Sequence, residues 1–338
     1  MTAAVTRWIA RHARPVPVGS PDPHAALDDP WPVDARTRDA VVVALGASTR
    51  QARELSAVAH RILRTLVEEA GFRALALEGD DAVRTGLAAY VAAGDGDPRA
   101  LLARARPFWR TEEILAAVRW IRAYNARHPG DPVRFVSSQE PPPHAAPLGA
   151  PTGLAEIERA MAGDTVRWHE RTGDKIVYWG GGAHTAVGDP RTVSPPSPPS
   201  PPLTHRNLGG HLRERFGDGY VSVGLLFHHG THPLSGHGHG PVSVPAPPPE
   251  FAEAVLGGAG GDAFALDLRA PCPEPVRAWF EAPAMTRLVG PFYDPEDDAA
   301  HHLSGGSLAG WFDALVHVRE VTPVGLLTDA PHDTPHPA

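Results

Sequence analysis

Short apolar runs bounded by Gly, Pro or Asp recur along the chain: Val41–Leu45, Ala74–Glu78, Val133–Ser137, Lys175–Trp179, Tyr220–Phe227, Ala263–Leu268 and Ala314–Val321. Runs this short, rich in β-branched and bulky side chains, predict buried strands. Between the first two, Leu55, Val58, Ile62, Leu66 and Val67 repeat at helical spacing, and Gly71 offers a stop. That pattern predicts an amphipathic helix and a strand–helix–strand crossover. "TEEILAAVRWIRAYNARH" predicts another helix, with Thr111 as cap, two glutamates at the positive end of the dipole, and Ile114, Leu115, Val118 and Ile121 facing inward. "GLAEIERAMAGDTVRWHERTGD" leads in the same way into the strand ending at Trp179. Helices alternating with strands over the whole chain predict an α/β fold with a mainly parallel central sheet flanked by helices.

Two segments interrupt this rhythm. Residues 141–151 and 194–202 are proline-rich and read as stiff, polyproline-like loops within one domain spanning 40–325. Residues 1–39 read as an N-terminal extension containing a short amphipathic helix, and 326–338 as a flexible tail. With 338 residues the chain can bury a substantial core.

Composition narrows the functional classes. The formal net charge is −8, and no block of lysine and arginine offsets it, which argues against nucleic-acid binding. A single cysteine, Cys272, excludes an internal disulfide and a cysteine-based zinc cluster. No apolar run is long enough to span a membrane and the N-terminus lacks a secretory core, so a cytoplasmic protein is expected.

Ligands of parallel sheets bind where the carboxyl ends of strands converge. Those ends offer Ser48, Thr49 and Arg50 after the first strand, Glu78 at the tip of the second, and the run "WGGGAH" after the fourth. A carboxylate at the end of an apolar strand is unfavourable unless paired, and Arg50 is a plausible partner for Glu78. Three glycines beside His184 let a ligand or another backbone approach closely. Glu78 and His184 are therefore the candidate catalytic pair, with Arg50, Ser48, Thr49, Trp179, Gly181, Gly182, His60 and His228 as candidate substrate contacts. The run "HHGTHPLSGHGHG" from His228 lacks helical ligand spacing and any carboxylate, so it predicts a solvated loop and no metal site.

The chain resembles the erythromycin esterase family from about residue 40 to about 325. The resemblance is carried by "VVVALGASTRQARELSAVAHRILRTLVEEAGFRALALEGD", "TEEILAAVRWIRAYNAR", "VRWHERTGDKIVYWGGGAHTA", "HLRERFGDGYVSVGL" and "YDPEDDAAHHLSGGSLAGWFDALVHVREVTP". It implies a parallel-rich sheet with a helical lid over a cleft, a small-molecule substrate such as a secondary metabolite, and hydrolysis without metal or cofactor. The lid is reduced here, since only a proline-rich link follows "SSQE" where the family carries several helices.

The family's catalytic pattern is altered. Its Gly-Glu-x-x-His reads Gly46-Ala47-Ser48-Thr49-Arg50, which removes the acid and the general base; arginine cannot accept a proton from water at neutral pH. The family's arginine in the next helix falls on Ala59, beside His60, and its His-Asn-x-His reads Gly181-Gly182-Ala183-His184. Glu78 matches the family's second-strand glutamate. A hollow widened where a histidine is lost is expected at Gly181. Three outcomes stay open: weak ester or lactone hydrolysis, a non-hydrolytic proton transfer, or ligand binding without turnover.

Overall fold

The structure is a computed structural model describing residues 2–20, 22, 27, 31, 34–79, 81–137, 151–188, 191–193, 203–233, 240–290 and 293–327. The strands are β1 (Arg14–Pro15), β2 (Val42–Ala47), β3 (Phe72–Leu77), β4 (Arg134–Phe135), β5 (Lys175–Gly181), β6 (Arg191–Val193), β7 (Leu203–His205), β8 (Tyr220–His232), β9 (Val242–Val244), β10 (Ala263–Asp267), β11 (Ala284–Arg287), β12 (His302–Gly306) and β13 (Ala314–Val321). The helices that matter for the site are α1 (Thr2–His12), α2 (Arg53–Ala70), α3 (Glu112–Arg127), α4 (Pro151–Thr172), α5 (Gly182–Thr185), α6 (Leu208–Phe216), α7 (Ala252–Gly257) and α8 (Glu274–Glu281).

The central sheet runs β1-β10-β13-β8-β2-β5-β3-β4, with β9 paired to β8. From β13 to β4 every pairing is parallel, whereas β10, β1 and β9 join antiparallel. β2 lies at the centre and all six of its residues are buried, as expected of a strand covered on both faces. Val43 and Leu45 face the α2 and α3 side, while Val42 and Ala44 face the side covered by α4 and α6. Helix ends follow the sequence: Gly71 closes α2 in the left-handed conformation (φ 73°), and Thr111 Oγ1 accepts a hydrogen bond from Ile114 N at the start of α3.

Three features depart from the sequence reading. A second sheet, β11-β12-β6-β7, is wholly antiparallel and sits outside the alternating pattern. Its strands are three to five residues long, too short for an apolar period to register. Residues 228–232, expected in a solvated loop, extend β8; 230–232 pair with β9, and His232 is buried. The N-terminal residues are part of the fold: Val5, Trp8 and Ile9 of α1 are buried with Leu256 of α7 and Phe280 of α8, and β1 extends the sheet.

The proline-rich stretches 141–151 and 194–202 lie outside the described residues, except for Pro151 at the start of α4. Among the described residues, no helix is long and apolar enough to cross a membrane.

Candidate active site

Glu78 follows β3 directly, and its main chain is held on both sides. Its N–H donates to the Trp179 carbonyl (3.1 Å) and its carbonyl accepts from Trp109 Nε1 (3.1 Å). Its side chain shares a strand face with Ala74 and Ala76, the face that α4 covers. Glu78 Oε2 accepts from Arg50 Nη1 and from Gly181 N (2.9 Å), and Oε1 lies 3.3 Å from His184 Nε2.

Arg50 comes from the turn after β2, and β5 lies between β2 and β3. The Arg50–Glu78 pair therefore passes over the carboxyl end of β5, which explains the glycines there. A Cβ on Gly181 would sit 3.2 Å from Arg50 Nη1, and one on Gly180 would sit 2.9 Å from the Tyr178 ring. Gly46 is required for another close approach, because a Cβ there would lie 2.0 Å from Thr185 Oγ1 in α5. The widened hollow expected at Gly181 is occupied by the guanidinium, whose face stacks over Phe108 at 3.9 Å.

His184 sits in α5 with its side chain 16% exposed. Its Nδ1 lies 2.9 Å from Glu158 Oε1, and Glu158, on α4, is fully buried. The same oxygen accepts from Arg191 Nη2 (2.9 Å) and lies 3.4 Å from His205 Nε2, while Glu158 Oε2 accepts from Leu208 N (2.9 Å). Arg191 and His205 face each other across the β6–β7 pair.

These contacts set the charges. Burial disfavours the His184 imidazolium, but the Glu158 and Glu78 carboxylates outweigh it and hold its pKa up at about 10. Burial likewise opposes ionisation of Glu78; Arg50, His184 and the Gly181 N–H overcome it and hold the carboxyl well below the usual range. Glu158 is held low against its burial by His184, His205 and Arg191. At neutral pH His184 is thus a cation between two carboxylates: it can donate a proton or stabilise an oxyanion, and it is a poor base. Three of the roughly four acceptor positions of Glu78 are engaged, which leaves one on Oε1 for a substrate or water.

Glu158, Arg191 and His205 escaped the sequence reading. Glu158 had a detectable signal, since it lies at helical spacing with Ala162 and Thr165 on the buried face of α4, where a carboxylate needs a partner. Arg191 and His205 sit in three-residue strands with no such signal.

The structure does not bring every candidate to this cluster. His60 is buried edge-on to Trp120 between α2 and α3, where burial and the nearby Arg64 and Arg61 drive its pKa down to about 3. His228 contacts His229, His317 and Gly257 on another part of the sheet. Trp179 is a core side chain packed edge-on to Trp109 (6.4 Å). Ser48 and Thr49 are buried; the Ser48 carbonyl accepts from Val289 N, and Thr49 Oγ1 accepts from Gln51 N (3.3 Å). Gly181 contributes its N–H, and Gly182 opens α5 with its carbonyl accepting from Ala186 N. Among the described residues, no group of three His, Cys, Asp or Glu side chains is arranged to hold a metal ion.

Solved structures share the fold. A Bacillus cereus protein is 21% identical with a TM-score of 0.78, over 96% of this chain and 99% of its own. A protein described as a succinoglycan biosynthesis protein is 19% identical with a TM-score of 0.79, over 96% and 98%. A mutant of the erythromycin esterase EreC in its open conformation is 15% identical with a TM-score of 0.58, over 86% and 93%. No curated protein matches the chain. The erythromycin esterase family model matches residues 67–136 and 148–321, and so begins after β2 and the Gly46–Arg50 turn. By that match, the chain belongs to the erythromycin esterase family.

Proposed function

We propose that the protein is an esterase-like enzyme that hydrolyses an ester or lactone of a small molecule, slowly, at the Arg50–Glu78–His184 cluster, without a metal. The observation that carries this reading is His184 Nε2 placed 3.3 Å from Glu78 Oε1 at a partly exposed strand end. The family match and the likeness to an erythromycin esterase favour ester chemistry.

In this reading Nε2–H of the His184 imidazolium leaves Glu78 Oε1 for the carbonyl oxygen as that oxygen gains negative charge, and then passes its proton to the departing alkoxide. The free acceptor position of Glu78 orients the attacking water, whose proton restores His184; the products are a carboxylic acid and an alcohol. Arg50 fixes Glu78 and keeps it a weak base, so the rate is low. A non-hydrolytic proton abstraction would demand a stronger base than this carboxylate.

Ligand binding without turnover is the second reading, favoured by the near saturation of Glu78 by Arg50, Gly181 and His184. Hydrolysis of a panel of aryl esters and lactones by wild type and Glu78→Gln separates the two. The enzyme reading expects measurable wild-type turnover that Glu78→Gln removes; equal background in both supports binding alone.

A further inference from the structure

Glu158 meets the Nδ1 edge of His184 while Glu78 meets Nε2, and the Glu158 side chain is fully buried. It is also the meeting point of four elements. His184 reaches Oε1 from α5, Arg191 reaches it from β6, His205 approaches from β7, and the Leu208 N–H of α6 binds Oε2. The Arg191–Glu158 pair is itself almost entirely removed from water, with side chains 1% and 0% exposed. A buried carboxylate held by this many donors is fixed in place and cannot swing away when His184 loses a contact on its other side.

We propose that Glu158 is the positioning residue of the site: it fixes the ring of His184 by accepting a hydrogen bond from Nδ1–H and so directs Nε2–H toward Glu78, while the β6–β7 pair, through Arg191 and His205, holds Glu158 in register. This deepens the esterase reading, on which the functional consequence rests, but the positioning itself is measurable without activity.

The groups that face this ring-and-carboxylate unit account for its charge. They are Glu78 after β3, Arg50 after β2, Arg191 on β6, His205 on β7 and Tyr178 on β5, with Tyr220 on β8 and His211 on α6 coupled to Glu158 at longer range. The contact at Nδ1 is made by Glu158 itself, at 2.9 Å. An adjacent opposite charge changes proton affinity by about 10- to 1000-fold.

The test is a pH titration of the His184 ring nitrogens by NMR on histidine-labelled protein, with the resonance assigned by its absence in His184→Asn. In wild type the ring is expected to remain doubly protonated through pH 9, with deprotonation near the value of about 10 that its surroundings impose. In Glu158→Gln its proton affinity is expected to fall by about 10-fold or more. Should that variant fail to fold, Glu158→Gln with Arg191→Met removes both buried charges together and is read in the same way. An unchanged titration in a folded variant, or a wild-type ring already neutral at pH 8, overturns the inference. A protonated wild-type ring that depends on Glu158, in a protein that hydrolyses no ester, upholds the positioning and removes the esterase reading instead.

Discussion

The Arg50 guanidinium reaches Glu78 across the end of a strand that belongs to neither of them. β5 separates the two parent strands, and the pair is possible because Gly180 and Gly181 present no side chain where it crosses. Arg50 thereby pairs with the Glu78 carboxylate and fills the space above the strand.

Removing that charge should be felt in both stability and chemistry. In Arg50→Gln, Glu78 stays buried with one fewer cation. Breaking a buried pair costs about 3–5 kcal/mol; with the Arg50 side chain 18% exposed, about 2–3 kcal/mol is expected here. Denaturant unfolding checks this. The proton affinity of Glu78 should rise at the same time. Arg50→His goes further by returning an imidazole beside Glu78, and ester hydrolysis should increase. Adding Ala47→Glu places a carboxylate where the present methyl is 4% exposed, so that combination should gain activity at the expense of stability.

Gly181→Ala tests the crossing itself. Gly181 has φ −80°, so alanine brings no backbone strain, and only the 3.2 Å approach to Arg50 Nη1 changes. Overpacking of this kind costs about 1–3 kcal/mol. Combined with Arg50→Gln, the alanine should become nearly neutral, and a double-mutant cycle measures that coupling.

How much of this was legible in the chain depends on element length. β2, β5, β13, α2 and α3 could be read because apolar residues repeat at strand or helix spacing over six or more positions, and their caps are named residues such as Thr111 and Gly71. Arg50, Glu78 and His184 were legible as strand-end residues. Their meeting depends on the order β2-β5-β3, which no local pattern encodes. His60 and His228 looked equally chemical in sequence, but their neighbours, Trp120 in one case and His317 with Gly257 in the other, come from distant parts of the chain. Glu158 was hidden in a helix whose other charged residues are mostly solvated.

His60 can be separated from function directly. It is buried, held neutral, and its Nε2 has no hydrogen-bond partner among the described residues. His60→Leu should leave stability within about 1 kcal/mol of wild type or raise it, because an unsatisfied buried polar atom is removed. Ester hydrolysis should not change; a large loss of rate would place His60 in the chemistry after all.

Stability should fall at both ends of the pH range. His184 has its pKa raised from 6.5 to about 10, so its stabilising effect is complete below about 6.5 and disappears as pH climbs toward 10. Glu78 and Glu158 have theirs lowered from 4.5, so their contribution is present above 4.5 and disappears as pH drops below it. Melting temperatures of wild type and His184→Gln across about pH 3 to 10 check both signs. The difference between the two proteins should shrink as pH rises from about 7 toward 10, and a constant difference would show that His184 is not charged in the folded state.

The most direct measurement for the whole account is kcat/KM on a responsive aryl ester or lactone, at neutral pH, for wild type and for His184→Gln with its fold verified. A positioned acid contributes about 10²- to 10⁴-fold, and a loss in that range is expected. Equal kcat/KM in the two proteins would contradict ester chemistry at this cluster.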